Sequence, residues 1–226
     1  MPIWQLDERI IFPAPQFAEP DGLLAIGGDF SIERLLLAYR SGIFPWFNYD
    51  DECYWFSPDP RCILMPNEII ISKSMQQLIK KNIFTIKVNT NFEGVIKGCA
   101  TIKRKTDSET WIDHQFIEAY TQLHRMGIAH AIEVYAENEL VGGLYGLSIG
   151  ACFFGESMFS AKSNASKYAF IFLAQKMLEL KYHFIDCQVY NEHLASMGAK
   201  NISRNQYLEM LAVALKAKPV CSFSDL

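Results

Sequence analysis

The chain has 226 residues, half of them hydrophobic, and 21 Lys and Arg against 25 Asp and Glu give it a net charge of -4. That is material for one sizeable core with a smaller appended domain, and the mean charge argues against indiscriminate nucleic-acid binding. No segment approaches the ~20 apolar residues that span a bilayer. The N-terminus has no basic stretch leading into an apolar run, so a cytoplasmic protein with no membrane contact is expected.

Residues 1–62 are punctuated by the turn signals "FPAP", "EPDG", "IGGD", "FPW" and "SPDP" between short apolar pieces. Ser31 is the expected N-cap of a helix over 32–41, with Gly42 as its stop. This predicts a small, loop-rich N-terminal α/β domain over 1–62, packing Trp46, Phe47, Tyr54, Trp55 and Phe56 against a larger domain over 63–226.

From there the pattern is regular. Ser72 should cap a short helix through "SKSMQQLIKKN", and "NFEGVIKGCAT" reads as another. In "DHQFIEAYTQLHRMG", Phe116, Ile117, Tyr120 and Leu123 recur at helical spacing between Asp113 as N-cap and Gly127 as stop. Three strands follow, "AIEVYA", "LVGGLYGLS" and "ACFFGESMF", with turns at Glu137-Asn138 and Gly150 that predict antiparallel pairing. A helix over 165–180 then leads to the strand "HFIDCQVY", a crossover that should set this strand parallel to an earlier one. Ser203 and Gln206 form a capping box for the last helix.

The charge is unevenly spread. Residues 1–62 hold four basic and ten acidic side chains; the remainder is basic by two. Within 73–105 stand Lys73, Lys80, Lys81, Lys87, Lys97, Lys103, Arg104 and Lys105 against Glu93 alone, a segment suited either to a polyanion or simply to a solvated face. The six cysteines (Cys53, Cys62, Cys99, Cys152, Cys187, Cys221) include no C-x-x-C pair, and the five histidines form no ligand pattern. Reduced thiols and no metal are expected.

Glu156 stands in an apolar strand run, where an ionised carboxylate needs a cationic or hydrogen-bonding partner. Strict alternation aligns it with Phe154 and Met158, and in "HFIDCQVY" aligns Asp186 with Phe184, Gln188 and Tyr190. Two acids and an amide on neighbouring strands would make a cation site. A lone acid in a strand more often caps a loop or helix; three such polar residues favour a site. The glycines of "VGGLYG" add to this, since a strand glycine marks a bulge or a close approach.

In order along the chain, "EPDGLLAIGGDF", "AYRSGIFPWF", "WFSPDPR", "TWI", "AYTQLHRMGIAHAIEVY", "LVGGLYG", "GESMFS", "NASK" and "IDCQ" resemble the blocks of the leucyl/phenylalanyl-tRNA-protein transferases. Phe30, Phe56, Glu109 and Ala131 depart from the usual residues of those blocks. The resemblance implies an α+β fold with a C-terminal N-acetyltransferase-like (GNAT-type) mixed sheet flanked by helices. It implies transfer of Leu or Phe, and less well Met, from aminoacyl-tRNA to proteins that begin with Lys or Arg, which marks them for N-degron proteolysis. No cofactor is implied, and a monomer is expected. Glu156, Asp186 and Gln188 match the functional positions. The pocket for the aminoacyl side chain would draw on Leu144, Phe153, Gly155, Phe170, Leu173, Met177 and Ile185, and the tRNA 3′ end would meet Trp46, Trp111 and Tyr120. Lys73, Lys80, Lys81, Lys103, Arg104 and Lys105 become the candidate surface for the acceptor stem.

Two other classes compete. An acetyl-CoA-dependent N-acetyltransferase needs a [QR]-x-x-G-x-[GA] pyrophosphate loop, which the sequence lacks. A non-catalytic RNA-binding module would use the basic segment and leave Glu156, Asp186 and Gln188 without a task.

Overall fold

The computed structural model describes residues 3–49, 52–101, 114–220 and 223. The N-terminal elements are β1 (Trp4–Leu6), a 3-10 turn at Pro15–Phe17, β2 (Leu23–Gly27), α1 (Ile32–Arg40), β3 (Phe44–Tyr49) and β4 (Glu52–Phe56). They form a four-stranded sheet in the order β1-β2-β4-β3, with β1 parallel to β2 and the other pairs antiparallel. Ser31 holds the N-cap position of α1, but its hydroxyl caps nothing; instead Asp29 accepts its backbone N–H at 2.8 Å. Trp55 is buried and donates to the Gly27 carbonyl at 2.9 Å. Its ring meets Phe12 and Phe30.

The second sheet starts earlier than expected. β5 (Arg61–Leu64) crosses the 62/63 boundary and, after a 3-10 turn at Pro66–Glu68, is followed by α2 (Lys73–Lys80), β6 (Thr85–Val88), α3 (Phe92–Thr101) and α4 (His114–Arg125). Next come β7 (Ala129–Ala136), β8 (Glu139–Ile149), β9 (Cys152–Ser160) and α5 (Ala165–Glu179). The described chain ends with β10 (Phe184–Gln188), α6 (Glu192–Ala195), β11 (Lys200–Ile202) and α7 (Arg204–Lys216). The seven strands run β11-β5-β10-β9-β8-β7-β6, with β9 and β10 the parallel pair that the α5 crossover predicts. The fold is α+β.

Ser72 and Ser203 cap α2 and α7 as their spacing requires, accepting from the N–H groups of Met75 and Gln206 at 3.3 Å each. Glu137 and Asn138 both adopt positive φ, the geometry of a tight hairpin turn. Asp113 lies outside the described residues, so its capping role is not placed. The short edge strands β6 and β11 carried too little periodicity to be predicted.

The sheet divides two apolar layers. Phe154 and Phe184 face α3, α4 and the N-terminal unit, where Phe30 packs edge-on to Phe116. Phe153 and Ile185 face α5, with Phe170, Leu173 and Met177. Two places in this regular alternation fail, and both belong to the site.

Candidate active site

β9 and β10 pair from Phe184 opposite Cys152 to Asp186 opposite Phe154, and no further. Each then carries an extra residue. Tyr145 pairs with Ser157 while Gly146 pairs with Gly155, which leaves Glu156 as a bulge. On the other strand Asp186 pairs with Ile63 and Gln188 with Cys62, so Cys187 is the extra residue, and Gln188 sits at φ +62°. Gly146 permits the first bulge, because a Cβ there would lie 2.1 Å from the Phe154 carbonyl oxygen.

The bulge overturns the strict alternation expected of "ACFFGESMF". Phe154 keeps to the α4 side, whereas Met158 packs on the α5 side, so Glu156 does not share its face. Beyond the last pair the strands enclose a cavity of about 500 Å³. Leu144, Phe170, Leu173 and Ile185 supply its apolar wall, Gly155 and Met158 its β9 side, and Trp46 one rim. Tyr190, Asn191 and His193 complete the rim.

Glu156 and Gln188 meet in that cavity. Gln188 Nε2 donates to Glu156 Oε1 at 2.9 Å, which turns the amide oxygen away from the carboxylate. Tyr120 donates to Glu156 Oε2 at 3.3 Å, and the Tyr39 hydroxyl is hydrogen-bonded to that of Tyr120. Burial pushes the Glu156 carboxyl up to about 8; the nearby Asp186 charge adds to this, and the hydrogen bonds from Tyr39, Tyr120 and Gln188 work against it.

Asp186 has a different environment. It is fully buried, with Arg61 forking onto both oxygens, Nε to Oδ1 at 2.9 Å and Nη2 to Oδ2 at 2.7 Å. The Tyr207 hydroxyl donates to Oδ2 at 2.7 Å and the Gln188 backbone N–H to Oδ1 at 2.9 Å. Arg61 also donates to the Gly42 carbonyl, and its guanidinium lies between the rings of Phe44 and Tyr207. Burial pulls Arg61 down, but the Asp186 charge, together with Tyr207 and the hydrogen bonds to Asp186, outweighs it and holds the guanidinium protonated.

The sequence-predicted cation site therefore needs correction. Asp186 finds its cation inside the protein, in Arg61, and it fixes the backbone of Gln188 rather than its side-chain amide. Glu156 holds the amide.

Other predicted positions divide. Trp46, Leu144, Gly155, Phe170, Leu173 and Ile185 line the cavity. Phe153 and Met177 are core: both are fully buried, and Phe153 packs on Phe223. Tyr120 lies behind Glu156, buried and stacked on Phe116 at 4.1 Å, so its ring is not offered to an adenine. Lys73, Lys80 and Lys81 are exposed on or just after α2. Trp111, Lys103, Arg104 and Lys105 lie outside the described residues. Lys97 is paired with Glu93, and Lys87 lies over the Tyr135 ring. The five described cysteines are unbridged, and Cys221 lies outside the described residues. Among the described residues no cluster of His, Cys, Asp and Glu could hold a metal ion, and no helix is long and apolar enough to cross a membrane.

Sequence reasoning missed Arg61, Tyr39 and Tyr207. The signal for Arg61 was a charged residue opening the apolar run "RCIL". The two tyrosines looked like ordinary core.

The geometry joins a carboxyl and an amide at one end of an apolar cavity. Residues 63–212 match the family described as leucyl/phenylalanyl-tRNA protein transferase, and residues 28–59 match its N-terminal domain. A leucyl/phenylalanyl-tRNA--protein transferase of Syntrophobacter fumaroxidans is 49% identical over 94% of this chain and 91% of its own. That of Thermodesulfovibrio yellowstonii is 47% identical over 100% of this chain and 92% of its own. Among solved structures, a GCN5-related N-acetyltransferase from Kribbella flavida aligns with a TM-score of 0.40 at 9% identity, over 74% of this chain and 60% of that one. With near-half identity spread across both parts of the chain, the protein belongs to the leucyl/phenylalanyl-tRNA protein transferase family.

Proposed function

We propose that this aminoacyltransferase moves Leu or Phe, and less well Met, from aminoacyl-tRNA to the α-amine of proteins beginning with Lys or Arg. The product carries a new N-terminal residue that directs it to N-degron proteolysis in the cytoplasm, and the enzyme works there as a monomer. The observation that carries this reading is the Glu156–Gln188 pair set into an apolar cavity between parted strands. Leu144, Phe170, Leu173 and Ile185 give a Leu or Phe side chain an apolar seat.

The donor ester is already activated, and an α-amine has a pKa near ~7.7 to 8.0, so roughly a tenth is free base at neutral pH. Positioning then matters more than a strong base. Gln188 Oε1 accepts a hydrogen bond from the amine and aligns it with the ester carbonyl. The new C–N bond forms as the ester C–O bond breaks, and the amine proton ends on the ribose oxygen that leaves. Glu156 meets the acceptor's basic side chain. An arriving cation favours its ionised form and receives charge-assisted hydrogen bonds, while a neutral side chain offers nothing in return. Lys73, Lys80 and Lys81 lie on the surface proposed for the acceptor stem.

The test mixes labelled leucyl-tRNA, an Arg-starting peptide and purified protein, with acetyl-CoA assayed in parallel. Label should pass to the peptide; its failure to move across varied salt ends this reading. Glu156→Gln should erode the preference for Arg-starting over neutral peptides more than it weakens donor binding.

A further inference from the structure

The bulge that aims Gln188 also places two thiols together. A bulge sets two residues of one strand against one of its neighbour, so Cys187 as well as Gln188 lies opposite Cys62. Cys62 is fully buried in β5, while Cys187 is half-buried and lines the cavity. The two side chains are hydrogen-bonded to one another, and Cys187 Sγ also lies 3.9 Å from the Ile185 carbonyl oxygen. Gln188 is the residue that faces Cys62 in the register, and Cys187 is the extra residue beside it, so the two cysteines stand on neighbouring strands, which run ~4.7 to 4.9 Å apart, against the ~4.4 to 6.8 Å between Cα atoms that a disulfide bridges.

We infer that Cys62 and Cys187 form an oxidation site for small hydroperoxides, closing reversibly to a disulfide that misaligns Gln188 and silences the cavity.

Within the pair, Cys62 is held below its ordinary value chiefly by the hydrogen bond from Cys187, while that same bond and burial push the Cys187 thiol well above its own. Cys187 is the sulfur at the cavity, and it reacts as its proton passes to Cys62. It attacks the terminal oxygen of the hydroperoxide; the O–O bond breaks, giving a sulfenic acid on Cys187 and, after protonation, water or an alcohol. Cys62 sulfur then attacks the sulfenic sulfur, the S–O bond breaks, and water leaves with the Cys62 proton. Two thiols lose two electrons and one hydroperoxide gains them.

The consequence runs through the backbone. Gln188 is held at φ +62° by the bond from its N–H to Asp186, and its amide must reach Glu156. Drawing Cys187 onto β5 moves the residue next to it, and a displacement near 1 Å costs about a hundredfold in rate.

The activity arm of the test rests on the proposed transfer reaction; the chemical arm does not. Hydrogen peroxide is added to the folded, reduced protein, which is then alkylated and digested with trypsin without reductant. Cleavage after Arg61, Lys73, Lys181 and Lys200 isolates Cys62 in peptide 62–73 and Cys187 in peptide 182–200, each with no other cysteine. The expected result is a joined pair of these peptides, two hydrogens lighter than their sum and separated again by dithiothreitol. Transfer should fall about a hundredfold in step with its formation and return with the reductant. Cys62→Ala, which does not touch the cavity, should retain reduced-state activity and resist peroxide; Cys62→Ser repeats the measurement if the alanine variant melts early. Absence of the joined peptide, or peroxide inactivation of the Cys62 variants at the wild-type rate, overturns the inference. So does a cross-linked protein that still transfers at full rate. A reduced protein with no transfer at all would instead defeat the functional reading, and the peptide map would still decide the site.

Discussion

Replacing Glu156 by glutamine should stabilise the protein, and increasingly so as pH rises. The carboxyl is displaced from 4.5 to about 8, mainly by burial. Its folded-state value lies above its unfolded value, so the favourable contribution is fully present below 4.5. It is lost progressively as pH climbs and is gone above about 8. The full displacement corresponds to roughly 5 kcal/mol. Because the cavity opens to water, a few kcal/mol is the realistic size of the effect. Glutamine is nearly isosteric, still accepts from Tyr120, and carries no charge to bury. Thermal melts of both proteins from pH 5 to pH 9 should start nearly superimposed and separate, with the variant higher by up to about 10 °C at alkaline pH. A constant gap across that range would refute the displaced carboxyl and, with it, the environment inferred for Glu156.

Three further outcomes are expected. Arg61→Leu strips a fully buried carboxylate of its cation, and urea unfolding should show a loss of about 3 to 5 kcal/mol, part of which returns in Arg61→Leu/Asp186→Leu; a loss below about 1 kcal/mol would mean the pair does not hold the bulge. Gln188→Gly should keep or raise the melting temperature, since glycine relieves a left-handed backbone by about 1 kcal/mol, yet transfer should collapse for want of the amide; unchanged transfer would remove Gln188 from the mechanism. Reversing Lys80 and Lys81 to Glu should weaken binding of aminoacyl-tRNA and flatten its dependence on salt, whereas equal binding at every salt concentration would exclude that face of α2.

Periodicity and caps made the large elements legible. Ser72, Ser203 and the turn at Glu137-Asn138 each act through neighbours a few residues away, and local chemistry determined them. That β10 runs parallel to an earlier strand followed from the α5 crossover, a rule of chain geometry; that the partner is β9 came from the structure. The site was half legible. The strand glycines announced a bulge, but period-two counting carried across Glu156 reversed the face of Met158. Arg61 and Asp186 lie 125 positions apart, and no local pattern pairs them. Tyr120 shows the opposite limit: helical spacing placed it in the core correctly, while the resemblance put it beside the tRNA end, and burial excludes the stacking role.

The two acids differ in what the fold gives them. Asp186 is surrounded by four donors, two of them from the guanidinium of Arg61 on a different strand, so its charge is neutralised before any ligand arrives. Its rigidity is then transmitted to a single backbone N–H, that of Gln188, whose left-handed conformation costs about 1 to 2 kcal/mol and needs such an anchor. Glu156 receives hydrogen bonds from two tyrosines, Tyr39 and Tyr120, and from the Gln188 amide, and none of these partners carries a positive charge. Arg61, the cation buried beside Gln188's anchor, is held by both oxygens of Asp186. The energetically sensible place for a cation opposite Glu156 is therefore the cavity itself, which the parted strands leave open on that side. The selectivity proposed for a basic N-terminal residue rests on this imbalance: one acid is satisfied so that it positions, and the other is left for the substrate.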